Sequence, residues 1–195
     1  MKETDKSDDP KTQNAIRSVT VDVSSKHCLW FAWWTTSPPT KGPEEEDDSS
    51  KPIGIPIPQE PPVPSKVLIE ATDPTQVWRH HPADGKQSGA DGISVARGLE
   101  NGGYKSDSFN SNWIELPGAI NLNKAVAIFE VNGLAPTQSA PQTQKEVGSN
   151  ATLTIPENAT KLFLGFHDGR QWTNNENPVT SSAEIITFRV SWLTL

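Results

Sequence analysis

Two short segments carry most of the side chains that could do chemistry. His167-Asp168-Gly169-Arg170-Gln171-Trp172-Thr173-Asn174-Asn175-Glu176-Asn177 follows directly on the apolar run Lys161 to Phe166, and Gln76-Val77-Trp78-Arg79-His80-His81-Pro82-Ala83-Asp84-Gly85 lies upstream. In the first, a strand delivers Asp168 to its exposed end, and a short turn then presents Asn174, Asn175 and Glu176. Carboxylate, amide oxygens and intervening backbone carbonyls are the hard donors that Ca²⁺ takes, and the spacing lets such a loop curl around one ion. A plainer reading makes Asp168-Gly169 a turn that the Asn residues cap. The pattern is not an EF-hand, which needs alternating Asp/Asn and a terminal Glu. An indole at Trp172, over a polar cleft, can stack on the apolar face of a sugar ring while neighbouring amides bond its hydroxyls. Folding of Trp172 back onto a sheet edge is the alternative.

His80-His81 with Asp84 and Asp91 could be read as the cluster of a metal-dependent hydrolase. That would require His80, His81 and Asp168 to converge on one ion. Adjacent histidines on a strand point to opposite faces, no metal-ligand spacing is present, and the ordinary reading is loop residues. No nucleophile elbow supports Ser/His/Asp catalysis, so the expectation is a protein that is not an enzyme. Asn150-Ala151-Thr152 and Asn158-Ala159-Thr160 are acceptor sequons that matter only in a eukaryotic secretory pathway. Cys28 lies in an apolar run and reads as a buried, inert thiol.

The elements that must position these loops read as strands. Val19, Val21 and Val23 alternate with polar residues, and Leu29 to Trp34 is an apolar run of strand length. Lys66 to Ala71, Ala125 to Val131, Ala151 to Ile155, Lys161 to Phe166 and Glu184 to Leu193 follow the same logic. Between them stand turn clusters: Asp84-Gly85, Asp91-Gly92, Asn101-Gly102-Gly103, Asn132-Gly133 and Asp168-Gly169. No 12-residue stretch shows a 3.6-residue apolar stripe. Many short strands with such punctuation predict an all-β, antiparallel β-sandwich.

Composition sets the remaining bounds. The chain has 195 residues, a formal charge of −7 and one cysteine, which excludes a disulfide framework and a Cys-based structural zinc site. The acidic balance argues against nucleic acid as a partner, and the longest apolar run, Cys28 to Trp34, is too short to span a bilayer. Nine of the 17 prolines lie between Pro38 and Pro64, beside the acidic run Glu44 to Asp48. This predicts an N-terminal tail over 1–14, a solvated acidic Pro-rich loop over 37–52, and one sandwich domain over 15–195. Within it, 53–64 should run extended as an edge strand with Ile53, Ile55 and Ile57 alternating. The start, MKETDKSDDP, has no apolar signal region, so the expected location is the cytoplasm or export by another route.

The second half has a recognisable order. An A-V-A-I-F-E-V strand (125–131) is followed by Val147-Gly148, Pro156, Leu162-Phe163-Leu164-Gly165-Phe166-His167-Asp168, Asn174-Asn175 and a last alternating strand. This resembles the calcium-dependent galactose-binding lectins of the LecA (PA-I) type and the wider galactose-binding-like, jelly-roll β-sandwich. The K-V-L-I-E-A strand followed by Pro74-Thr75-Gln76-Val77-Trp78 is similar to the family segment before the sugar pocket. The similarity covers roughly residues 53–195 and is densest over 125–175.

By resemblance, Asp168, Asn174 and Asn175 would hold Ca²⁺ with backbone carbonyls near Trp172 and Thr72. The same resemblance implies sugar contacts from His81, Asp84, Asp168, Trp172 and Asn174. It implies a carbohydrate-binding function directed at a galactose-type glycan, with a homo-oligomer for avidity. The loop departs from the family in having His167 where an Asn is usual, a shorter Asp-to-Asn spacing, and Glu176-Asn177-Pro178 in place of a Gly. The rival is a calcium-independent structural or protein-interaction sandwich used in adhesion or assembly, because fold does not fix function.

Overall fold

The computed structural model describes residues 14–27, 29, 52–79, 87–93, 114–115, 122–134, 142–143, 145–167 and 184–194. The strands, in chain order, are β1 (Asn14–Ser24), β2 (Ile55–Pro56), β3 (Lys66–Ala71), β4 (Val77–Arg79), β5 (Gln87–Gly89), β6 (Asp91–Ile93) and β7 (Ile114–Glu115). They continue as β8 (Leu122–Val131), β9 (Gln142–Thr143), β10 (Lys145–Glu146), β11 (Asn150–Thr154), β12 (Ala159–Phe166) and β13 (Ile185–Thr194). Among the described residues there is no α-helix, and no helix long and apolar enough to cross a membrane.

Antiparallel ladders build a four-stranded sheet in the order β1-β13-β3-β11 and a five-stranded sheet β10-β8-β12-β2, with β6 also paired to β8. β4 and β5 form an antiparallel pair, and β7 and β9 a short parallel one. Period-two alternation decides which side chains meet. In the first sheet Val19, Val21 and Val23 stand opposite Val190, Phe188 and Ile186, while Val67 and Ile69 stand opposite Trp192 and Val190. In the second, Ala125, Ala127 and Phe129 of β8 face Phe166, Leu164 and Leu162 of β12, so the two alanines receive a large residue of the next strand. All of these belong to one buried apolar cluster shared by the two sheets, apart from the partly buried Val19 and Val21 that pack against it, which is the arrangement of a β-sandwich.

The second sheet is also covered on its outer face. Val126, Ile128 and Phe163 alternate away from the shared core, yet they are fully or almost fully buried. Part of the cover is the segment after β1. Leu29 is buried and lies against Gly165, and the His27 carbonyl accepts a hydrogen bond from Phe166 N–H (3.4 Å). A Cβ on Gly165 would stand 2.8 Å from the His27 oxygen and 3.1 Å from Leu29 Cγ, so only glycine admits the segment this closely.

Several sequence-based expectations are met in place. Lys66 to Ala71 is β3, and β8, β11, β12 and β13 contain the other predicted strands to within two or three residues at their ends. Asn132 and Gly133 carry φ of 57° and 68° and close a tight turn bridged by Val131 and Leu134.

Three expectations need correction. Over 53–64 the only strand is Ile55–Pro56, at the sheet edge. Ile55 and Ile57 are buried and Ile53 is exposed, because the repeated prolines remove ladder donors. Asp91-Gly92 is not a turn but part of β6, Asp91 pairing with Lys124. Leu29 does not begin a strand; it packs onto the outer face of the second sheet, and Cys28 and 30–34 lie outside the described residues. So do 1–13 and 37–51, and β1 begins at Asn14.

The Gly165 contact yields a stability prediction. Gly165→Ala should cost about 1–3 kcal/mol by forcing the 25–29 segment outward, whereas Gly133→Ala, with nothing within 4 Å, meets only its own backbone strain. Urea unfolding of both variants checks this; an unchanged midpoint for Gly165→Ala would refute the close approach.

Candidate functional site

The described chain stops at His167 and resumes at Glu184, and it stops at Arg79 and resumes at Gln87. These four positions are the roots of the two segments singled out for their chemistry, 168–183 and 80–86. The β12–β8 register, with Phe166 opposite Ala125, puts His167 at the end of the second sheet where β8 begins. The β1–β13 register, with Ser24 opposite Ile185, puts Glu184 at the end of the first sheet where β1 stops.

Three sets of contacts join these roots. Trp78 of β4 is fully buried and meets Phe166 of β12 edge-on, with ring centroids 4.7 Å apart at 61°. Ser25 N–H donates to the Glu184 carbonyl (2.8 Å), Glu184 N–H donates to Ser25 Oγ (3.1 Å), and two residues later His27 reaches Phe166. Gln76 Nε2 donates to Glu184 Oε1 (2.7 Å) and to the Ile185 carbonyl (2.6 Å). One end of the sandwich therefore gathers the stems of both segments.

The turn between β3 and β4 is built locally. Asp73-Pro74-Thr75-Gln76 has Asp at its first position and Pro at its second, a β-turn signature. Thr75 donates to Asp73 Oδ1 through its N–H (2.9 Å) and its hydroxyl (2.6 Å), and Gln76 N–H reaches the Asp73 carbonyl (3.3 Å). The Thr75 hydroxyl, then its N–H, hold the Asp73 carboxyl below its ordinary pKa. Thr72 is exposed at the end of β3. Its N–H (2.8 Å) and hydroxyl (3.0 Å) both donate to the Thr187 carbonyl, which fixes the backbone beside it.

Two histidines are buried here. Ser24 N–H donates to His27 Nδ1 (3.2 Å), which places the ring proton on Nε2. His167 is 4% exposed, its N–H donates to the Lys124 carbonyl (2.9 Å), and no described residue reaches its Nε2. Desolvation lowers both rings from 6.5 to about 4, opposed at His167 by the charge of Glu146, itself paired with Lys124 at 2.6 Å.

Of the residues selected from the sequence, Thr72 at the end of β3 and Asp91 in β6 lie within the described part; Asp168, Trp172, Asn174, Asn175, His81 and Asp84 lie outside it, as do His80 and Glu176. Among the described residues no group of three or more His, Cys, Asp or Glu is arranged to hold a metal. Gln76, Asp73 and Glu184 were not singled out for a role. The D-P-T-Q turn could have flagged the first two, while the contact of Gln76 with Glu184 spans 108 residues and leaves no local trace. No protein family, curated protein or solved structure matches the chain.

The histidines give a pH prediction. An unfolded ring titrates near 6.5 and the folded rings near 4, so between those values the unfolded chain binds protons that the folded chain refuses. Stability is complete above pH 6.5 and falls toward pH 4, by on the order of 3 kcal/mol for His167. His167→Gln should flatten the pH dependence of urea unfolding in this window by about one proton. An identical slope in the variant would contradict a neutral buried ring.

Proposed function

We propose that this protein is a carbohydrate-binding, lectin-like sandwich that takes a galactose-type glycan through Ca²⁺ at the end where the two segments are rooted. The observation that carries the reading is the contact of Trp78 with Phe166, because it sets the stem of 80–86 against the stem of 168–183. Residues proposed for opposite walls of one pocket, His81 and Asp84 on one side and Asp168, Trp172 and Asn174 on the other, thus belong to neighbouring stems. In this reading the sandwich is a galactose-binding-like jelly roll with a Pro-rich, acidic N-terminal extension, acting by binding and not by catalysis.

The donor chemistry suits the ion. Asp168, Asn174, Asn175 and the carbonyls of Trp172 and Thr72 are oxygen donors throughout, as Ca²⁺ requires, and the set has no thiolate or imidazole that would favour zinc. Thr72 meets its part of this test: both its donors are spent on Thr187, and no described residue donates to its carbonyl. When bound, Ca²⁺ supplies open coordination positions that vicinal sugar hydroxyls can occupy. Asp168 would accept a sugar hydroxyl, Trp172 would cover the apolar ring face, and His81 and Asp84 would fix orientation from the facing wall. A homo-oligomer would raise avidity for multivalent glycans.

Calorimetric titration of EDTA-stripped protein with Ca²⁺, then galactose, tests the proposal. Saturable calcium uptake abolished by Asp168→Ala, with sugar heat only in the calcium form, is the expected result. Absence of both heats in the wild type would leave a calcium-independent interaction module.

A further inference from the structure

An edge strand presents unpaired N–H and C=O groups that invite another strand, and proteins blunt such edges with charges or prolines. Among the described residues, the outermost strands of the two main sheets are β1 and β11 in the first and β10 and β2 in the second. β1 carries the exposed charges Arg17 and Asp22, and β10 is the exposed charged pair Lys145-Glu146. β2 contains Pro56 and lies between Pro52 and Pro58. β11 has none of these devices. Its sequence, Asn150-Ala151-Thr152-Leu153-Thr154, holds no charge and no proline, and Asn150, Thr152 and Thr154 are exposed.

Two main-chain bonds fix which way this strand points. Ala71 N–H donates to the Ser149 carbonyl (2.8 Å) and Ile155 N–H to the Ser65 carbonyl (3.0 Å), one at each end of β11 and in the same register. Antiparallel pairing alternates, so Ser149, Ala151, Leu153 and Ile155 are the residues that turn main-chain groups to β3. Asn150, Thr152 and Thr154 turn theirs outward, where no described residue bonds them.

We infer that a second copy of this chain pairs antiparallel along β11, with Thr152 opposite its own counterpart on a two-fold axis. An axis perpendicular to the sheet keeps the faces matched, and it sets Asn150 opposite the partner's Thr154. Each of these rows joins residues that point outward, so every outward N–H and C=O on both copies finds a partner. A slip of two residues either way leaves some of them unpaired. On the outer face Thr meets Thr and Asn meets Thr, pairs that can hydrogen-bond. On the core face the half-buried Ala151 meets the partner's Leu153, extending the apolar cluster against which both already pack. Behind β11, Glu70 stands opposite Asn150 and Lys66 opposite Thr154. Each row therefore ends in Glu70 of one copy and Lys66 of the other, roughly 14 Å apart, whereas a parallel join would end it in like charges. The join supplies a surface for the homo-oligomer of the proposed function, yet it needs neither calcium nor sugar.

A five-residue edge buries less than the roughly 1,200 Å² of a standard complex, so the dimer is weak, with a Kd on the order of 100 µM. Sedimentation equilibrium from about 10 µM to about 1 mM, without calcium, tests this on wild type, Thr152→Lys and Thr152→Pro. Thr152→Lys sets two ammonium groups against each other at the axis and leaves the backbone intact, so the test does not hang on the proline variant folding. Thr152→Pro removes an outward N–H and costs no bond to β3. Each should weaken the dimer about tenfold or more. Thr152→Lys at about 10 µM should melt within about 2 °C of wild type. Wild-type amide exchange at 150, 152 and 154 should slow as concentration rises, while 151 and 153, already bonded to β3, should not respond.

A wild type that stays monomeric at the highest concentration would overturn the inference and leave this edge to water or to a different chain. So would a dimer that both variants keep, or one whose exchange at 150, 152 and 154 ignores concentration. Failure of the wild type to take up calcium would remove the lectin-like reading and leave this one standing.

Discussion

Among the described residues the two main sheets share no hydrogen-bonded ladder, and what holds one over the other there is side-chain packing and chain that crosses between them. Through the middle of the molecule the packing is apolar and non-directional: Trp192, Phe188 and Ile69 on one side, Leu162, Phe166 and Ile55 on the other. Such a core sets the distance between layers more firmly than it sets the position of a strand end. Directional contacts take over at the end where β1, β12 and β13 meet. Ser25 bonds Glu184 of the first sheet at both main-chain groups, and His27, two residues later, bonds Phe166 of the second. The vacancy at Gly165 lets that crossing lie flat against β12.

The local chemistry of this end follows from that joint. Burial at this end excludes water from His27 and His167, and desolvation holds both rings neutral. Glu130 shows the contrasting solution further along the same sheet. Its carboxyl group is buried but receives the Thr160 hydroxyl at 2.8 Å and the Lys161 ammonium at 3.0 Å, so the buried acid is paired. Loops that must hold a fixed shape gain from stems anchored in this way, since binding residues carried by loops are only as well placed as the scaffold beneath them.

How much of this could be read in the chain varies with the range of the interaction. Strands with clean alternation, such as Val19-Val21-Val23 or Lys66 to Ala71, declare both their conformation and their buried face. β8 and the end of β12 read as unbroken apolar runs because Val126, Ile128 and Phe163 are covered on the outer face, where Leu29 lies against Gly165, far away in the chain. The prolines around Ile55 correctly mark an edge, but they also shorten the strand to two residues. Short pairings such as β6 on β8 have too few residues to show a period, so Asp91-Gly92 looks like a turn. At the candidate site the stems could be read as strand ends. Their convergence could not, because Trp78 on Phe166 and Gln76 on Glu184 are contacts between segments about 90 to 110 residues apart.

The proposed function requires that ligand be taken at the end of the sandwich where these stems converge. Amide chemical-shift mapping of ¹⁵N-labelled protein, titrated with Ca²⁺ and then with galactose, tests it residue by residue. Perturbations are expected to centre on Thr72, Gln76, His167 and Glu184, with Asn132–Leu134 and Pro156–Asn158 undisturbed. Perturbations centred on those two turns instead, or none at saturating calcium and sugar, would contradict it.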